Sequence, residues 1–138
     1  MSPTARKPLV DGLADDPAVV VEQVADGYLL LDETVIAFAD ADHDAGLALL
    51  VAQRTGVSTG AVERALAARS PERASVLCRA AGFGVDGFSA VLRMRRRRLA
   101  EEGMSPVAAL SAFLAMPMEA ARRAVAIMKA DNEPRART

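Results

Sequence analysis

Three times beyond the first dozen residues a helix-capping side chain is followed at once by proline: Asp16-Pro17, Ser70-Pro71 and Ser105-Pro106. A short acceptor side chain satisfies the free N–H groups of a first helical turn, and proline at the first helical position loses nothing by lacking an N–H. Further start signals stand at Asp32, at Asp42 or Asp44, at Ser58 and at Pro117, and stop signals at Gly56 and Gly82. Punctuation this dense permits only short helices. They read as "AVVVEQVADG", "ETVIAFADAD", "AGLALLVAQRT", "TGAVERALAAR", "ERASVLCRAAG", a long segment from about Val85 to Gly103, "VAALSAFLAM" and "MEAARRAVAIMKA". Strand signals are nearly absent, since "YLLL" is too short and isolated to build a sheet. The expected fold is all-α.

Sliding the chain by 26 residues places Leu50-Val51-Ala52 on Val76-Leu77-Cys78 and Gly56 on Gly82. Val57, Val62 and Leu66 then fall on Phe83, Phe88 and Leu92. Each unit reads as helix, glycine turn, helix. One helical hairpin cannot bury both its faces, so a compact bundle or a short solenoid-like stack of hairpins is expected. Cys78, Leu50, Val62, Leu66, Phe88 and Leu92 should share one core. The proline-bearing stretch 1–12 reads as a flexible arm, 13–130 as a single helical domain, and 131–138 as a disordered tail.

The stretch from "ALLVAQRTGVSTGAVERALAARS" to "RMRRR", together with "MEAARRAV", resembles the C-terminal region of DUF2336, a bacterial family of unknown function. The resemblance reaches back more weakly to "LADDPAVVV", about three quarters of the chain. It implies an all-helical bacterial protein and supplies no catalytic residue.

Residues 51–66, "VAQRTGVSTGAVERAL", are also similar to the helix-turn-helix of the Lac-repressor-like family. Ala52, Gly56, Val57, Ser58 and Val62 match its packing, turn and cap positions. The reading positions match poorly. Thr59 and Arg64 are the only candidates for touching bases, Gly60 offers no side chain, and Glu63 would meet phosphate with the wrong charge.

Residues 1–60 hold three basic and ten acidic side chains, a net of −7, whereas residues 61–138 hold fourteen basic and eight acidic, a net of +6. Such halves either guide a partner or attract each other. Five arginines, Arg93, Arg95, Arg96, Arg97 and Arg98, lie within six residues. At 100° per residue they cover most of a helix circumference, so this helix is expected to project from the body. It would then be either a solvated helix end, with Arg97–Glu101 and Arg98–Glu102 pairs, or a docking site for phosphate, nucleic acid or an acidic protein surface.

Other motifs fail on inspection. Asp40, Asp42 and Asp44 imitate the start of a calcium loop, but the glycine comes one residue late and Val51 stands where a bidentate Glu belongs. One histidine and one cysteine cannot assemble a zinc set. "GFGVDG", residues 82–87, spells a dinucleotide fingerprint but follows a helix rather than a strand. Ser58, Ser70 and Ser105 are caps, Cys78 reads as core, and His43 has no nucleophile beside it.

No metal, cofactor or catalytic set is therefore expected. A single cysteine and no apolar run of membrane length suit the cytoplasm. The expected function is a non-enzymatic protein-interaction module, regulatory or adaptor, with a protein partner. It would show at most weak, sequence-independent association with nucleic acid, and self-association is open to it. The alternative is a helix-turn-helix-like nucleic-acid-binding regulator using Thr59 and Arg64 with the arginines as phosphate clamp. An unrecognised enzyme is the third.

Overall fold

The computed structural model describes residues 16–99 and 105–132. Among these the chain forms eight helices and no strand. They are α1 (Pro17–Ala25), α2 (Leu31–Asp40), α3 (Asp44–Thr55), α4 (Thr59–Ala67), α5 (Glu72–Ala80), α6 (Val85–Leu99), α7 (Pro106–Ala115) and α8 (Met118–Asn132). The fold is all-α. Helix α8 runs two residues into the stretch read as tail. The N-terminal arm, the end of the arginine helix at Gly103, Glu101, Glu102 and residues 133–138 lie outside the described residues.

Three of the start signals act as local caps, as their spacing predicts. Asp16 accepts from the Ala18 N–H at 2.9 Å, Ser58 from Ala61 at 3.2 Å and Ser105 from Ala108 at 3.1 Å. Three starts differ. Helix α2 begins after Leu30, with no side-chain cap, so Asp32 lies inside its first turn. Helix α3 is capped not by an aspartate but by His43, whose Nδ1 accepts from the Gly46 N–H at 3.0 Å. Asp42 is unavailable for that role because its backbone (φ 56°) closes the end of α2, with the next N–H, on His43, bonded to the Phe38 carbonyl. Helix α5 starts one residue late, with Pro71 in the cap position and Ser70 Oγ accepting from Glu72 at 3.4 Å.

Gly56 and Gly82 both adopt left-handed backbone, φ 82° and 90°, at the ends of α3 and α5. Without a Cβ they turn the chain where other residues would be strained, and the buried Val57 and Phe83 follow directly.

The core runs continuously through the bundle and includes Cys78, Leu50, Val62, Leu66, Phe88 and Leu92, all buried together. Phe88 stacks on Phe113 of α7, ring centroids 4.0 Å apart and planes within 5°. The two units related by 26 residues pack differently. Helices α3 and α4 form a close hairpin, whereas α5 and α6 share little surface. Helix α6 instead lies along α2, and α5 along α8. The helices are therefore joined across the chain, through the shared apolar core and through charged residues that bridge their ends.

Candidate functional site

The arginine run meets the aspartate loop. Arg93 pairs with Asp40 at 3.4 Å and Arg97 with Asp42 at 3.0 Å, while Arg98 bridges Asp42 and Asp44. Arg97 also donates to the Ala39 carbonyl at 2.7 Å, at the C-terminal end of α2, and Arg98 to the Asp42 carbonyl at 3.1 Å. The hydrogen bond that Arg98 donates to the Asp44 carboxylate holds the guanidinium even more firmly charged than usual. Here the acidic and basic halves attract each other. Exposed pairs of this kind contribute little each, about 0–1 kcal/mol. Their combined effect is to occupy three of the aspartates and three of the arginines that the sequence offers to outside ligands.

Arg95 corrects the expectation that this helix projects. It is 1% exposed. Its guanidinium donates to the Leu66 carbonyl at 2.7 Å and the Ala68 carbonyl at 2.8 Å, with longer contacts to those of Ala65 and Arg69. The last carbonyls of a helix have no partner within it and carry its negative dipole end, so the C-terminus of α4 is a natural seat for a guanidinium. Four consecutive arginines do point all round a helix, but the body covers one side, and the residue on that side found acceptors there. Arg96 remains exposed.

The same device recurs. Arg54 Nε donates to the Ala81 carbonyl at the end of α5, and Arg79 Nε to the Met116 carbonyl at the end of α7 at 2.9 Å. Arg79 also lies over the Phe113 ring, 5.4 Å from its centroid. Asp32 supplies the opposite charge. Its carboxylate accepts from the Gly84 and Gly87 N–H groups at 2.8 and 3.0 Å, capping the N-terminus of α6 from 52 and 55 residues away. A Cβ at Gly84 or Gly87 would come within 2.7 Å of that carboxylate. "GFGVDG" is thus an anion-accepting helix N-terminus whose anion is the chain's own Asp32.

The remaining candidates fall in packing roles. Cys78 is fully buried, and burial pushes its thiol up to about 12, against an opposing pull from Arg95. His43, besides capping α3, packs edge-on against Phe38, centroids 5.2 Å apart. Among the described residues no three of His, Cys, Asp and Glu gather closely enough to hold a metal ion. In the helix-turn-helix-like segment, Ala61, Val62, Ala65 and Leu66 face the core, leaving Thr59, Glu63 and Arg64 exposed on α4. Arg64 reaches back toward Gly60, where an added Cβ would lie 3.5 Å from Nη1. Of the arginines expected to form a phosphate clamp, Arg95 is behind the end of that helix and inside the protein.

Two features stand outside this internal network. Helix α7, "PVAALSAFLA", carries no charge along its ten residues, yet only Ala109 and Phe113 are buried. Val107 is 75% and Leu114 49% exposed. Between α6 and α7 runs a groove of about 250 Å³ formed by Leu92, Pro106, Val107 and Leu110, with Ser89, Arg93 and Arg96 beside it. The second feature is a basic cleft of about 360 Å³ between the ends of α3 and α5 and one face of α8, with Arg54, Arg122 and Lys129 in its lining. Neither the α7 face nor Arg122 and Lys129 was singled out in the sequence. The absence of charge across "VAALSAFLA" and the seven-residue spacing of Arg122 and Lys129 on one helix were the available signals.

The model of a bacterial family described as an uncharacterised protein conserved in bacteria, DUF2336, matches residues 3–130. The match takes in nearly the whole chain, beyond the three quarters that the sequence resemblance covered. No curated protein and no solved structure matches it.

Proposed function

The chain belongs to DUF2336, an uncharacterised family conserved in bacteria, and we propose that it is a non-enzymatic helical interaction module, regulatory or adaptor in role, acting on a protein partner in the bacterial cytoplasm. The observation that carries this reading is the uncovered face of α7. A helix apolar on all sides is normally enclosed, because each exposed side chain forgoes the gain of leaving water, about 25 cal/mol per Å². Val107 and Leu114 are exposed on a helix seated in the core by Phe113. A partner that buried them would meet apolar anchors already positioned, which lowers the entropic cost of association.

Arg93 and Arg96 sit beside the adjoining groove, so the partner is a protein with an apolar strip edged by carboxylates. Of the five arginines in the run, Arg96 serves the docking role together with the donors of Arg93 not engaged by Asp40, while Arg95, Arg97 and Arg98 serve the fold.

The test is recovery of tagged chain from its bacterium, comparing wild type with Val107→Glu/Leu114→Glu at equal helical content. A protein recovered in stoichiometric amount with wild type, and lost with the double variant, supports the reading. Retention of that protein by the double variant refutes it. So does recovery of nucleic acid that Thr59→Ala/Arg64→Gln abolishes.

A further inference from the structure

We propose that the cleft between α3, α5 and α8 binds a phosphoryl group carried by a small molecule. It shares no residue with the α7 surface and does not depend on that reading. Helices α3 and α5 both end here in left-handed glycines, Gly56 and Gly82, with Thr55 and Ala80–Ala81 forming two walls. The third wall is one face of α8, where Arg122, Val125, Ala126 and Lys129 follow the helical repeat. A Cβ at Gly56 would lie 2.9 Å from Lys129 Nζ, and one at Gly82 would lie 3.4 Å from an Arg54 terminal nitrogen. Gly56 therefore does more than turn the chain, since it leaves room for the Lys129 head, whereas a Cβ at Gly82 would make only ordinary contact with Arg54.

Among the described residues three cations and no carboxylate line this space. Capping of the helix ends explains part of that charge. Arg54 Nε donates to the Ala81 carbonyl, and Lys129 lies at the end of α3. Each helix C-terminus, however, supplies only about −0.5 of a charge, so two of them offset about one cation of three. Arg122 and Lys129 make no hydrogen bond or ion pair among the described residues, and the terminal nitrogens of Arg54 make none beyond the Nε contact. The uncompensated charge is about +2, which complements a phosphate monoester at neutral pH, about −1.5 to −2. Guanidinium forks suit phosphoryl oxygens, and the methyl groups of Val125 and Ala126 give the rest of a small ligand an apolar floor. The volume falls at the lower end of the range for small-ligand sites, about 300–1,000 Å³.

The test is calorimetric titration of the full chain with inorganic phosphate and with glycerol phosphate, ionic strength held constant with chloride. Wild type should bind both saturably, one per chain, with Kd in about the millimolar range or tighter. Arg122→Gln and Lys129→Gln, both at accessible positions, should each weaken binding about tenfold, as loss of one charge-assisted hydrogen bond does. Arg123→Gln, on the same helix but outside the cleft, should leave it unchanged. Absence of saturable binding to wild type overturns the proposal. So does binding that Arg122→Gln leaves intact, or a loss in Arg123→Gln equal to that in the cleft variants.

Discussion

Replacing Arg95 by methionine keeps an unbranched stem in the core and removes only the guanidinium. Two effects oppose each other. Taking a buried charge out of the protein recovers desolvation energy, and in some proteins a buried ionic group exchanged for an apolar one gains stability. Against this, the Leu66 and Ala68 carbonyls lose donors at 2.7 and 2.8 Å at the end of α4. Each buried acceptor left unmade costs about 1–3 kcal/mol, and methionine offers no replacement donor. The carbonyl loss should win, giving a net destabilisation of about 2–4 kcal/mol. Urea unfolding followed by far-UV circular dichroism reads this directly. With a slope of about 2 kcal/mol per molar, the midpoint should fall by about 1–2 M. The exposed neighbour serves as control, since Arg96→Met should change stability by no more than about 0.5 kcal/mol. Equal midpoints for Arg95→Met and wild type, or a higher one for the variant, would refute the claim that Arg95 is held for the end of α4.

Three further outcomes follow from the packing. Gly87→Ala should cost about 1–3 kcal/mol by displacing the Asp32 carboxylate, yet cost nothing in an Asp32→Ala background; additive costs in the four-variant cycle would exclude that contact. Phe88→Ala, which removes a fully buried ring stacked on Phe113, should destabilise by about 3–5 kcal/mol in the same urea assay, and a loss below 1 kcal/mol would place the ring outside the core. Because the folded Cys78 thiol is raised from 9.0 to about 12, its contribution is complete below pH 9 and is lost as pH rises from 9 towards 12. The stability difference between wild type and Cys78→Ala should therefore shrink across that window, with a slope approaching about 1.4 kcal/mol per pH unit; a pH-independent difference would contradict it.

How far the sequence could be read depended on the range of each interaction. Asp16, Ser58 and Ser105 act within three residues of their own position, so pattern and geometry agree. Gly56 and Gly82 are legible for the same reason, because the need for positive φ is local. Burial of Phe88 and Val62 follows from helical periodicity alone. Asp32 reads as the cap of its own helix because the nearest N-terminus is the only one a sequence shows, whereas its partners lie in α6. Arg95 failed similarly. A helical wheel gives four arginines equal standing, and only the tertiary fold reveals which one faces another helix end. His43 took the cap expected of Asp42 or Asp44 because the chain turns left-handed at Asp42, which sequence periodicity does not register. The Arg54–Arg122–Lys129 cleft needs three separate helices to meet, and no spacing along the chain encodes that.

The central claim is that the protein's charged motifs hold its helices together while the α7 face meets the partner. A photo-activated cross-linking side chain placed in living cells at position 107, and in parallel at 59, 64 and 96, tests it most directly. The expected result is one dominant protein adduct from position 107, a weaker one to the same protein from 96 beside the groove, and none from 59 or 64. Adducts to nucleic acid from 59 and 64, with none from 107, would contradict the claim and return the function to the helix-turn-helix-like segment.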